Sequence, residues 1–406
     1  MVARGALVAV ALSLSLAASA EDRVVAIGDI HGSIDGLVEI LAKTGIVDSE
    51  LRWVGGTTTF VQTGDLLDRG QAVREVMDLM IRLQGEAQEA GGEVIALLGN
   101  HETMNMTGIL RDVNSDAYSS FADADSERRR KQGWKEFRRF WRNRARRLDR
   151  DESLSSQAQE QWMALHPPGK LEYAEAMSAE GSYGRWLRSL PLAAVVNGVL
   201  FTHGGFGPHV EGMTVDEVNR KAREQIDEFD ELRAYMVREG LVLPWHSLPE
   251  MAGEAELEIQ ATSDEGPATR PADLERVRRA RRLETVTGWQ DWIFVHADGP
   301  LWFRGAAHWD EQERSEDIDE ILDGLGVRYM VVGHTVQGSG RIRVRFGGRV
   351  FLIDTGMLAE VYAGRPSALV FSHGGVTAVY PDETHELLSA PRPAAARAPS
   401  PTAPRP

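Results

Sequence analysis

The sequence predicts an α/β protein that shades into α+β toward its C-terminus. Three observations carry this. Short apolar, β-branched runs end in the glycine-marked loops Gly28-Asp29-Ile30-His31-Gly32, Gly64-Asp65-Leu66-Leu67-Asp68-Arg69-Gly70 and Gly99-Asn100-His101-Glu102. Asp29, Asp65 and Asn100 are about 35 residues apart, close to the length of one strand–helix–strand unit. Two late segments, each turning at a Gly-Gly pair, read as antiparallel hairpins.

Taken in order, Val24–Ile27 is the first strand, and Ser33 stands as the N-cap of a helix through Leu37, Ile40 and Leu41. Gly45 sits where a helix C′ glycine would. Residues 57–62 and 94–98 are the second and third strands. A helix through Val73, Val76, Met77 and Met80 separates them. From 103 to 182 the chain turns polar, charged and helical, punctuated at Pro167-Pro168-Gly169. Trp134, Phe137 and Trp141 recur there at helical spacing, with arginines on the other faces. An amphipathic helix packed over the core is the expected reading. Binding of a phosphorylated or anionic partner is the sharper alternative, and nucleic acid comes after it.

Residues 192–201 form a strand pair that delivers Thr202-His203-Gly204-Gly205. Thr214-Val215-Asp216-Glu217 is a capping box opening a long helix toward Gly240. Residues 250–269 are polar, acidic and weakly patterned, and read as an insertion or mobile loop. Residues 273–283 are helical again. Residues 327–332 are a buried strand running into Gly333-His334-Thr335. The hairpins span 341–353, turning at Gly347-Gly348, and 368–380, turning at Gly374-Gly375.

The formal charge of −16 argues against general nucleic-acid binding, although residues 127–150 are strongly basic. The chain has no cysteine, which excludes disulfides, thiol nucleophiles and thiolate metal ligands. Arg4, the apolar run from Ala6 to Leu16 and Ala18-Ser19-Ala20 before Glu21 make a secretory signal peptide. The expected organisation is a signal peptide at 1–20 and a catalytic domain at 21–385, with helical insertions at about 103–182 and 211–288. A disordered Pro/Ala-rich tail follows at 386–406. The expected location is exported, periplasmic or secreted, with no membrane span after cleavage.

Asp, His and Asn side chains gathered at strand C-terminal ends form an oxygen- and nitrogen-rich pocket suited to hard or borderline divalent metals. Asp65 is the natural hub, because a carboxylate has two oxygens and can bridge two ions.

Gly-Asp-x-His-Gly at Gly28, Gly-Asp-x-x-Asp-Arg-Gly at Gly64, Gly-Asn-His-Glu at Gly99 and His-Gly-Gly at His203 occur in the order typical of the PPP family of metallophosphoesterases. The chain resembles its bacterial-type branch, the Shewanella-like protein phosphatases, from about Val24 to Tyr380. The resemblance implies a calcineurin-like β-sandwich of two mixed sheets flanked by helices, with helical insertions. It implies two divalent ions (manganese, iron or zinc, with manganese favoured). Asp29, His31 and Asp65 would hold the first. Asp65, Asn100, His203 and a late histidine, His334 in preference to His373, would hold the second.

The expected reaction is phosphomonoester hydrolysis by metal-activated hydroxide. His101 would be the general acid and Asp68 the partner of its imidazole. Arg69 would clamp the phosphate, helped by Arg304 and, as a weaker candidate, Arg185. The implied substrate is a phosphorylated protein or peptide carrying phosphotyrosine, phosphoserine or phosphothreonine. One alternative is a dinucleoside polyphosphate hydrolase, a class that typically lacks the aspartate at position 68. The other is a non-catalytic phospho-binding protein.

Overall fold

The computed structural model describes residues 23–150, 153–264 and 271–389. The predicted signal peptide lies outside them, as does the tail from residue 390. Among the described residues, eleven strands form two mixed sheets. Val24–Ile27 (β1), Thr59–Gln62 (β2) and Glu93–Ala96 (β3) are parallel neighbours. Ala368–Ser372, Gly375–Val379 and Thr384–Leu388 (β9, β10 and β11) extend that sheet antiparallel from the β1 edge, in the order β11-β10-β9-β1-β2-β3.

The second sheet is built from Ala193–Val196 (β4), Val199–Thr202 (β5), Tyr329–Val332 (β6), Arg343–Arg345 (β7) and Val350–Leu352 (β8), in the order β4-β5-β6-β8-β7. Here β5, β6 and β8 run parallel, while β4 and β7 are antiparallel edges. The two sheets make the expected sandwich.

Strand alternation divides the core in two. Val24 and Ala26 of β1, Val331 of β6 and Phe351 of β8 point into the layer between the sheets. Val25 and Ile27, Met330 and Val332, and Val350 and Leu352 belong to the larger cluster shared with the helices. Phe201, Phe351 and Phe371 meet edge to face in the inter-sheet layer. Phe201 and Phe351 are fully buried, and each contributes about 1.5–3 kcal/mol by burial.

Helix Val73–Glu89 lies against β3, burying Val76, Met77, Met80 and Leu83. Helix Val215–Arg238 lies against β4, and Thr214 and Glu217 make the capping box read from the sequence.

Three local expectations change. Ser33 precedes helix Ile34–Lys43, but its hydroxyl caps nothing in the helix and reaches the Met357 carbonyl at 3.5 Å. The segment predicted as a loop at 250–269 is helical up to Asp264, in helix Leu248–Asp264. Its buried stripe, Leu248, Met251, Ala252 and Ala255, includes two alanines, so the apolar periodicity is faint in the sequence. That stripe packs with helix Pro271–Thr287, in which Leu283 and Val286 are buried. The predicted tail boundary at 386 falls inside β11, whose pairing with β10 fixes it in the sheet.

The basic segment forms helix Ser126–Arg147. Trp134 and Phe140 are buried, and Trp134 rests on Trp162. Several of its arginines meet acidic partners within the molecule: Arg129 pairs with Asp123 and Glu172, Arg144 with Glu254, and Arg147 with Glu258, while Arg138, Arg139, Arg142 and Arg146 are exposed. This is the amphipathic, packed arrangement. Among the described residues no helix is long and apolar enough to cross a membrane.

Candidate active site

Six parallel strands, three from each sheet, end at one edge of the sandwich, where each is followed by a polar residue. Asp29 follows β1, Asp65 follows β2 and Asn100 follows β3. His203 follows β5, His334 follows β6 and Asp354 follows β8. A cavity of about 340 Å³ opens there, lined among others by Asp29, His31, Arg69, Asn100, His101, Arg304, His334 and Asp354.

The loops that carry these residues are held in costly conformations. His31, Asp65, Asp68, Arg69 and His334 all have positive φ, between 48° and 68°. Non-glycine residues adopt that region at a cost of order 1–3 kcal/mol each, and such strain clusters at functional sites. Glu102 supplies the opposing restraint. Its buried carboxylate accepts from the backbone N–H of Asp65, Leu66, Leu67 and Gly99, at 2.7 to 3.1 Å. Gly99 must be glycine, because a Cβ there would lie 2.2 Å from Asp65 Oδ1.

Three histidines present a nitrogen to the buried carboxylates. His31 Nδ1 bonds the Leu67 carbonyl at 2.8 Å, so its Nε2 is the lone-pair nitrogen, 4.0 Å from Asp29 and 3.7 Å from Asp65. His203 Nδ1 bonds the Thr63 carbonyl at 2.8 Å, leaving Nε2 at 3.3 Å from Asp65 and 2.9 Å from Asn100 Oδ1. His334 Nε2 is buried with no hydrogen-bond partner. Fixing one ring nitrogen on a carbonyl so that the other faces a cation is how metal-ligating histidines are oriented.

Ligand atoms of His31, Asp65 and His101 lie within 4.8 Å of one another, and so do those of Asp65, His203 and His334. Asp65 belongs to both groups. Asp29 is not in the first group; both its oxygens accept from the His334 N–H, at 2.9 and 3.2 Å. Buried carboxylates, imidazole nitrogens and an orphaned Nε2 converging on one point form a donor set that fits divalent cations.

The electrostatics agree. Burial lowers the His31 pKa to about 4, and burial with the neighbouring His203 lowers that of His334 to about 2, so both rings are neutral donors near neutrality. Burial pushes the Asp65 carboxyl up, but His203, His101 and His31 outweigh it and hold it well below the usual range. Asp29 goes the other way, raised by burial and by the charges of Asp354 and Asp65.

His101 is oriented differently. Its Nδ1 meets Asp68 Oδ2 at 2.6 Å, and its Nε2 faces Arg69 Nη2 at 3.2 Å. Burial lowers its pKa, but Asp65 and Asp68 outweigh that and leave it raised. Asp68 is itself held by Asn105 Nδ2 at 2.8 Å, and Tyr173 donates to Asn105 Oδ1 at 2.7 Å. Neither Asn105 nor Tyr173 is among the site residues expected from the sequence. Asn105 is four residues past His101 on one helix, a visible spacing. Tyr173 comes from a distant helix and carried no signal.

Arg69 and Arg304 both line the cavity. Arg69 Nη1 donates to the Tyr362 hydroxyl, and Arg304 Nη1 donates to the His334 carbonyl and Thr335 Oγ1, each at 3.0 Å. Arg185 is not brought to the site. It lies exposed on helix Ser182–Ser189 with its Nη1 on the Glu180 carbonyl. Its sequence neighbourhood looked suitable, but the helix turns that face outward. His373 sits in the β9–β10 turn, away from the cavity-lining residues. Arg69→Ala should therefore lower kcat/KM for a phosphomonoester by roughly 10- to 100-fold, the loss of a charge-assisted hydrogen bond of about 1.5–3 kcal/mol. Arg185→Ala should leave it within about twofold, as expected of a surface change. Steady-state kinetics on the two variants check both.

Comparison with known proteins places this geometry. The sequence model for calcineurin-like phosphoesterases matches residues 22–263. Shewanella-like protein phosphatase 1 of Plasmodium berghei is 25% identical over 350 residues, spanning 85% of this chain and 69% of that protein. Shewanella-like protein phosphatase 2 of Arabidopsis thaliana is 41% identical over 100 residues, 25% of this chain and 26% of that protein. In fold, the crystal structure of a cold-active protein-tyrosine phosphatase from a psychrophilic Shewanella superposes with a TM-score of 0.57 at 24% identity, covering 90% of this chain and 80% of that one.

Proposed function

Because this chain belongs to the calcineurin-like phosphoesterase family, we propose that its strand-end cavity is the site of a metal-dependent protein phosphatase. The observation that carries the reading is Asp65, a carboxylate common to two groups of metal-ligand atoms, with His101 of the first group turned by its Nδ1 onto Asp68 and Arg69 lining the same cavity. Asp29, His31 and Asp65 would hold one divalent cation, and Asp65, Asn100, His203 and His334 the other. When bound, the cations supply Lewis-acid polarisation of the phosphoryl group and a water acidic enough to be a nucleophile near neutral pH.

The protein's own groups do the rest. Arg69 and Arg304 hold the phosphoryl oxygens with guanidinium donors. Asp68 keeps the proton on His101 Nδ1 and stabilises the imidazolium. His101 Nε2 then faces the cavity as the proton donor to the leaving oxygen. Phosphorylated proteins or peptides as substrate follow from the names of the relatives in Plasmodium and Arabidopsis. Manganese is the favoured cation, as a hard to borderline ion suited to carboxylate and amide oxygens.

The test compares phosphotyrosine peptide, phosphothreonine peptide and diadenosine tetraphosphate, with manganese and with chelator. Peptide hydrolysis that chelation abolishes is the expected result. Selective hydrolysis of the dinucleotide would replace the protein phosphatase reading.

The proposed location is outside the cytoplasm, supported by the charged start, apolar run and Ala18-Ser19-Ala20 of the first twenty residues. Protein isolated from its native host should begin at Glu21. Mass spectrometry that finds residues 1–20 retained would overturn this.

A further inference from the structure

Five of the six parallel strand ends deliver residues already placed around the proposed cations. The sixth, after β8, delivers Asp354, which the sequence motifs leave without a role. It is only 1% exposed and lines the same cavity. Its Oδ1 accepts from the Gly356 N–H at 3.0 Å, while its Oδ2 is buried with no hydrogen-bond partner. The end of β8 is pressed against the first motif: a Cβ on Gly28 would lie 2.6 Å from the Ile353 carbonyl oxygen and 3.0 Å from Asp354 N. The Asp354 carboxyl is thereby set beside that of Asp29, in the field of Asp65. A buried carboxylate oxygen set against the Asp29 carboxyl and near Asp65 is costly unless a cation, or a proton shared with Asp29, faces it.

We propose that Asp354 Oδ2 is an additional oxygen donor to the cation held by Asp29, His31 and Asp65. This rests on the dinuclear reading above and goes beyond its ligand set. It makes the two sites chemically unequal. The first would have three carboxylates and one imidazole. The second would have two imidazoles, one amide oxygen and a share of Asp65. Carboxylate-rich sites suit manganese, whereas imidazole suits zinc and iron as well. The first site is therefore the one whose manganese affinity depends on Asp354.

Asp354→Asn is the informative variant, because the amide oxygen can still accept from Gly356 N–H while the charge is lost. The full chain is stripped with chelator and titrated with manganese(II) alone. Bound metal per chain and the melting temperature are read at each concentration. Wild type should take up two ions. Asp354→Asn should bind one with near wild-type affinity and the other at least tenfold more weakly, the scale of losing a group that supports a metal site. Its metal-free melting temperature should not fall, and the rise on adding manganese should shrink. Asp354→Glu, which keeps the charge, should recover part of the affinity.

Two wild-type binding events in Asp354→Asn would overturn the proposal and leave the dinuclear reading intact. Fewer than two ions in the wild type would overturn both. A lower metal-free melting temperature with unchanged manganese affinity would show that Asp354 is only a structural cap.

Discussion

Asp65→Asn is expected to drain both cation positions and to abolish phosphatase activity. The residue is 2% exposed, and its carboxylate lies between His31 and His203, at 3.7 and 3.3 Å from their Nε2 atoms. One neutral amide cannot replace a carboxylate that both groups share. Removing a group that merely supports a metal ligand costs about 10–100-fold in affinity or activity. Losing the shared ligand should exceed that for both. The substitution is also clean for the fold. Position 65 has φ 58°, a region asparagine tolerates better than most residues, and the Glu102 bonds run to backbone N–H groups that the change leaves in place. Circular dichroism should therefore be unchanged, while metal analysis falls toward zero ions per chain. Two ions per chain in this variant would remove Asp65 from its role as hub.

His101→Asn should separate catalysis from metal binding. His101 Nδ1 is committed to Asp68, and its Nε2 faces Arg69 and the cavity. Metal content and folding should persist. Turnover should fall by about 10²–10⁴-fold, the usual worth of general acid–base help. The loss should be small for p-nitrophenyl phosphate, whose leaving group needs little protonation. It should grow through phosphotyrosine to phosphoserine. Asp68→Asn should give a milder form of the same profile, because Asp68 acts through the imidazole. The double variant should be little worse than His101→Asn alone, since residues acting as one unit are non-additive. Equal losses on p-nitrophenyl phosphate and phosphoserine, with metal retained, would show that His101 does not protonate the leaving oxygen.

Much of this site is legible in the sequence for a local reason. In a parallel strand–loop–helix unit the residue just past the strand reaches the C-terminal edge whatever the rest of the chain does, so Asp29, Asp65 and Asn100 declare themselves by position. Glycines mark where the backbone must turn left-handed or press against a neighbour, as Gly99 does against Asp65. Amphipathic spacing likewise revealed that helix Ser126–Arg147 packs on the molecule, although of Trp134, Phe137 and Trp141 only Trp134 is buried, and Phe140 joins it.

Tertiary structure decided what depends on direction and partnership. Residues 341–353 read as a hairpin, which is correct as far as pairing goes, but only the sheet order shows that β8 runs parallel to β6. That polarity is what carries Asp354 to the edge where the other five strand ends lie. Arg185 and Arg69 both looked like phosphate ligands in one dimension. A helix that turns Arg185 to solvent and a loop that turns Arg69 inward separate them. Tyr173 became part of the His101 support only through packing between distant helices, which brings its hydroxyl to Asn105. Strand ends and turns are set by short-range sterics, which the sequence writes locally. Which side chains then face each other is set by long-range packing, which no short window contains.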